Sequence, residues 1–164
     1  MNTRLRQLFT SAALIVLVFA MLGSSTSAFD DESDEPEGSW FFAVSIPGYT
    51  FQGIETYSAG GGYTESDQLS FNPLAVASAG HGAWQSTGKN KFVLTYFNLT
   101  FDGFNSGTPT GTLRVRQRTT INRNGNSYRG SGDYTYYDLN GAPIPGLSGT
   151  FTIVATRIGV QAPD

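Results

Sequence analysis

From Gly38 to Ile158 the chain is a series of eight segments in which apolar and polar residues alternate, each bounded by a turn signal. A period of two is the signature of a β-strand with one face buried. No window carries the 3.6-residue apolar stripe that a surface helix needs. The spacing predicts a first strand in which Trp40, Phe42, Val44 and Ile46 share a face, ended by Pro47-Gly48. A second runs from Phe51 to Tyr57 and a third from Tyr63 to Leu69, with Gly60-Gly61-Gly62 between them. Asn72-Pro73 opens a longer connection to Gly80. A fourth strand spans Gly82 to Thr87, a fifth Lys91 to Asp102, a sixth Thr110 to Asn122. Asn124-Gly125 is the clearest hairpin turn. Strands seven and eight cover Ser127 to Asp138 and Gly146 to Ile158.

Eight sequential strands on short turns make an antiparallel meander, and a flat meander leaves two open edges. Closure into an eight-stranded up-and-down β-barrel removes both edges. Glycines within strands, such as Gly130 and Gly132, suit the curvature. A two-sheet sandwich is the competing arrangement. It needs long crossing connections, and only residues 70–80 and 103–109 offer the length. The expected fold class is therefore all-β, with the barrel over residues 38–159 and a short tail at 160–164.

Before the barrel stand two segments of another character. Arg4 and Arg6 precede an apolar run from Leu8 to Leu22, and Thr26-Ser27-Ala28 follows the small-x-small rule for signal cleavage. Residues 1–28 read as a cleaved signal peptide, so the expected location is secreted or periplasmic. An uncleaved anchor is the alternative, but the run is short for a bilayer span of about 20 residues. No later segment is apolar enough to span. Residues 29–37, FDDESDEPE, hold six acids and read as a solvated, disordered linker. From Gly38 onward eight basic residues meet seven acidic ones. That balance gives nucleic-acid binding no electrostatic support.

The absence of cysteine and the single histidine exclude disulfides, thiolate zinc, cysteine catalysis and multi-histidine metal centres. No metal and no cofactor is expected. His81, between Gly80 and Gly82, is the one candidate general base, set against a turn histidine that bonds a local carbonyl. Glu55 and Glu65, on adjacent strands, are expected as an exposed cross-strand pair. In the sixth strand Arg114, Arg116 and Arg118 share the face opposite Leu113, Val115 and Ile121. They are expected in water. The other possibility turns them inward to meet an anionic ligand head. The fifth strand is apolar on both faces, with Phe92, Leu94 and Tyr96 on one and Val93, Phe97, Leu99 and Phe101 on the other. Tyr128, Tyr134, Tyr136 and Tyr137 form an aromatic-rich strand, read as barrel packing or as a stacking platform. Asn98-Leu99-Thr100 fits a glycosylation pattern but falls inside a strand.

Gly38-Ser39-Trp40 and Thr156-Arg157 carry a resemblance. The first is similar to the G-x-W that opens the first strand of calycins, the lipocalin-like barrels. Arg157 resembles the arginine those barrels set against that tryptophan from their last strand. The resemblance implies that Gly38, Trp40 and Arg157 close the barrel, with guanidinium over indole. The chain looks more like the compact bacterial lipocalin-like domains than like typical lipocalins. It has Asn122-Arg123-Asn124-Gly125 where typical lipocalins carry a T-D-Y-type motif, and the helix that usually packs after the eighth strand is not expected in residues 159–164. The implied function is binding of a small hydrophobic molecule, with Phe42, Val44, Trp84, Leu113, Val115, Phe151 and Ile153 as lining. Two other readings stand beside it: a small β-barrel cyclase or isomerase of the allene-oxide-cyclase type, and a non-catalytic interaction module.

Overall fold

The structure is a computed structural model that describes residues 35–72, 75–103 and 107–163. The signal segment 1–28 and residues 29–34 of the acidic stretch lie outside the described residues. Ten strands follow in order: β1 (Gly38–Ile46), β2 (Tyr49–Ser58), β3 (Gly62–Asp67), β4 (Phe71–Asn72), β5 (Ala75–Ala77), β6 (Gly80–Gly88), β7 (Lys91–Phe101), β8 (Pro109–Ile121), β9 (Ser127–Tyr137) and β10 (Pro143–Arg157). Every pairing is antiparallel. Eight strands form a closed ring, β7-β6-β3-β2-β1-β10-β9-β8 and back to β7. The terminal strands β1 and β10 are neighbours, with Trp40 opposite Arg157 and Val44 opposite Ile153. This is the expected eight-stranded antiparallel barrel, and it leaves no room for the sandwich.

Two strands were not expected. The connection after β3 forms the small hairpin β4–β5, whose second strand pairs with the end of β7 through Val76–Phe101 and Ala77–Thr100. It extends the wall where β3 and β6 separate, since those two pair only over Gly62–Glu65 and Gly80–Ala83. The last strand also starts earlier than its apolar alternation suggests. Its register with β9 shifts between Pro143 and Ser148, where Pro143 and Pro145 have no N–H to donate.

Period two decides which side chains enter the barrel. Trp40, Phe42 and Val44 of β1, Phe51 and Tyr57 of β2, Phe92 and Leu94 of β7, Val115 and Ile121 of β8, and Phe151, Ile153 and Ala155 of β10 are buried. Inward glycines make the space for the larger rings. A Cβ on Gly132 would stand 2.5 Å from the Phe151 ring. The arginines of β8 stay outside. Arg116 pairs with exposed Asp133 at 2.8 Å, and Arg114 lies 5.1 Å from the Tyr137 ring centroid. The inward-facing arginine cluster is thereby ruled out.

Candidate functional site

The interior has two unlike ends, because each strand carries different residues at different heights. At one end Trp40, Tyr57, Phe92, Ile121 and Tyr128 fill the barrel, all almost without exposure. Trp40 meets Tyr128 at 5.1 Å between centroids, and Phe92 stands edge-on to Tyr57 at 5.2 Å. Arg157 closes this end. Its guanidinium carbon lies 4.2 Å from the Trp40 ring centroid, its Nε donates to the Gly125 carbonyl at 2.9 Å, and Nη1 donates to the carbonyl of Glu37. The Trp40 indole donates to the Pro36 carbonyl at 2.7 Å. Residues 35–37 thus dock onto the plug, and Pro36 is buried, unlike the solvated linker expected there. Gly38 allows this approach: it has φ +112°, and an added Cβ would meet the Arg157 guanidinium.

At the other end the barrel is hollow. A cavity of about 510 Å³ is lined by Phe42, Val44, Phe51, Leu113, Val115, Phe151 and Ile153, with Tyr63 and Tyr96 on the lining of β3 and β7. Tyr134 and Tyr136 line it from β9, edge-on to each other at 6.3 Å. Leu69, Val76, Ile144 and Leu147 complete the apolar wall from the β4–β5 hairpin region and the irregular start of β10. That size and apolar character fit one small molecule.

Six of the seven expected lining residues, Phe42, Val44, Leu113, Val115, Phe151 and Ile153, meet in this one cavity. Trp84 does not. It sits toward the filled end, 6.4 Å from Phe92 and 6.3 Å from Tyr57, and donates to the Ser58 carbonyl at 3.1 Å. His81 is also elsewhere. It is exposed on the outer face of β6, paired with Thr64 and Phe97, so it cannot act as a base inside the barrel. Phe97 and Leu99 stand exposed on the outer face of β7. The tyrosines of β9 divide between roles: Tyr128 packs the filled end, Tyr134 and Tyr136 line the cavity, and Tyr137 lies outside under Arg114.

The largest departure from expectation concerns the carboxylates. Glu55 and Glu65 are directly opposite each other across β2 and β3, but they point inward, only 2% and 3% exposed. The cause is phase: Glu55 alternates with Phe51 and Tyr57, and Glu65 with Tyr63. Glu55 accepts hydrogen bonds from the Tyr63 hydroxyl at 2.8 Å and from the Tyr128 hydroxyl. Glu65 Oε1 accepts from Asn98 Nδ2 at 2.7 Å. Gly80 makes the room, since a Cβ there would fall 2.2 Å from that same oxygen. Burial pushes both carboxyls up to about 7, against the downward pull of their hydrogen bonds. Asp67, nearer the open end, is raised by burial as well. Among the described residues these acids do not converge on a three-ligand metal site, and no helix is long and apolar enough to cross a membrane.

No protein-family model matches this chain, and no curated protein and no solved structure matches it.

Proposed function

We propose that this chain is an exported, lipocalin-like carrier that holds one small hydrophobic molecule in the open half of its barrel. The observation that carries the reading is the apolar cavity of about 510 Å³ at one end of a barrel whose other end is filled. Eight strands enclose just enough interior for side chains or for one small ligand, and here a single barrel divides its length between the two. The kinship with calycins rests on the strand order and on the guanidinium–indole contact between Arg157 and Trp40. Export rests on the Arg4–Ala28 leader pattern. A carrier of poorly soluble compounds has its use outside the cell, where no membrane or cytosolic protein keeps them dispersed.

The test is binding of a neutral, environment-sensitive dye such as Nile red. The parent protein should bind one equivalent with enhanced emission. Val115→Trp, which adds an indole to the cavity wall, should lose at least about tenfold in affinity. An unchanged affinity in a folded Val115→Trp protein would place the dye on the outer surface and overturn the reading.

A further inference from the structure

The cavity is apolar on its walls and one-signed in its charge. Its charged residues among those described are Asp67 and Asp102, and no lysine, arginine or histidine lines it. Behind the wall stands Glu65, tied to it through Asn98. The side chain of Asn98 is fixed in orientation, because its Nδ2 donates both to Glu65 Oε1 at 2.7 Å and to the Ser78 carbonyl at 2.9 Å. Nδ2 therefore has two acceptors and cannot be exchanged with the oxygen. Its Oδ1, on a residue 3% exposed that lines the cavity, has no partner, and neither has Glu65 Oε2. With Glu65 ionised, both oxygens lack a donor, and a buried acceptor without one is costly.

Resting on the carrier reading above, we infer that the guest is a hydrophobic amine, seated with its ammonium toward Asn98, Glu65 and Asp67 and its apolar body among the aromatic walls. An ammonium brings three donors and no acceptor, which suits the unfilled Asn98 oxygen on the wall and the carboxylate behind it. Its charge opposes the carboxylates, and the rings of Tyr63 and Tyr96 beside them favour a cation over an anion. A fatty carboxylate would meet the same oxygens as a like charge and would bring no donor when ionised. A neutral alcohol would satisfy one acceptor and gain nothing from the charge.

The experiment is calorimetric titration of the full chain with three probes sharing one apolar body: naphthylethylamine, naphthylethanol and naphthylacetate. Burial pushes Glu65 up to about 7, so the titrations are run near pH 8, where it is ionised. The amine should bind at least about tenfold more tightly than the alcohol, the weight of one charge-assisted hydrogen bond, and the carboxylate weakest. Glu65→Gln and Asp67→Asn should each narrow the gap between amine and alcohol, with the larger loss falling on the amine. If the alcohol or the carboxylate binds as well as the amine, the amine inference fails and the carrier reading survives. If none of the three binds, and Nile red does not either, both fail.

Discussion

Burial that raises the Glu55 and Glu65 carboxyls should give this barrel a stability that falls, and does not climb, as pH rises through neutrality. Glu55 has its carboxyl raised from 4.5 to about 7. The folded chain therefore keeps a proton that the unfolded chain has already released between those two values. Stability must fall as pH rises through that window, because the folded state is the better proton binder there. Below 4.5 both states are protonated and no penalty applies; above 7 both are ionised and the full penalty applies. A rise of that size corresponds to roughly 3 kcal/mol for one carboxyl, a large share of the 5–15 kcal/mol that holds a typical domain. Glu65 adds a contribution of the same sign. The two do not simply sum, since the charge of Glu55 is itself among the causes of the Glu65 shift. The measurement is urea unfolding followed by the fluorescence of Trp40 and Trp84, at about pH 5 and about pH 8. With a urea slope of about 1–3 kcal/mol per molar, the midpoint should be lower at the higher pH by roughly 1–3 M. Glu55→Gln should match the parent near pH 5, exceed it near pH 8, and flatten the profile. A midpoint that holds constant or climbs between pH 5 and 8 would refute the burial of these groups as described.

Other perturbations probe other parts of the barrel. Arg157→Ala removes the cation over Trp40 and its hydrogen bonds to the Gly125 and Glu37 carbonyls. It should cost about 2–4 kcal/mol and shift the Trp40 emission to the red. Arg157→Lys should recover only part, since lysine lacks the planar fork. Gly80→Ala sets a methyl group on the Glu65 oxygen; chemical denaturation should show a loss of about 1–3 kcal/mol. His81→Ala, at an exposed position outside the cavity, should change stability by no more than about 0.5 kcal/mol and leave Nile red binding untouched.

Alternation along the chain was enough to read eight strands, their closure and most inward faces. It worked because each residue's side of the wall follows from parity alone. Parity does not give height along the barrel. Trp84 points inward like Phe42, yet it lies at the filled end, because height depends on the register of β6 with β3 and β7. The same limit hid which end would be hollow. Glu55 and Glu65 depart from the exposed pair expected for another reason. Their phase, shared with Phe51, Tyr57 and Tyr63, turns them inward, although a carboxylate is seldom fully buried. Tyrosines at 63 and 128 supply the donors that make burial of Glu55 tolerable, and only the folded ring brings Tyr128 to it from 73 residues away. The β4–β5 hairpin gave little signal because each of its strands is two or three residues long.

The position of these acids bears on what the barrel is for. An all-apolar filling at residues 55 and 65 would remove the cost of desolvating two carboxyls, and such replacements are often neutral or stabilising. Glu55 has both its oxygens engaged by tyrosines and serves to join the filled end together. Glu65 is different. One of its oxygens is bonded and the other is left over, next to an asparagine with an oxygen also left over. This half-satisfied polar pair stands beside the apolar cavity. Local departures from good packing are expected where a site needs them. A bound ammonium would donate to the Asn98 oxygen on the wall and, by its charge, would hold Glu65 behind it ionised, so ligand and fold would stabilise each other. The protein's melting midpoint near neutral pH should accordingly rise with amine concentration, as mass action requires of anything that binds only the folded state. The same rise should shrink in Glu65→Gln if the carboxylate is a partner, and persist undiminished if it is not.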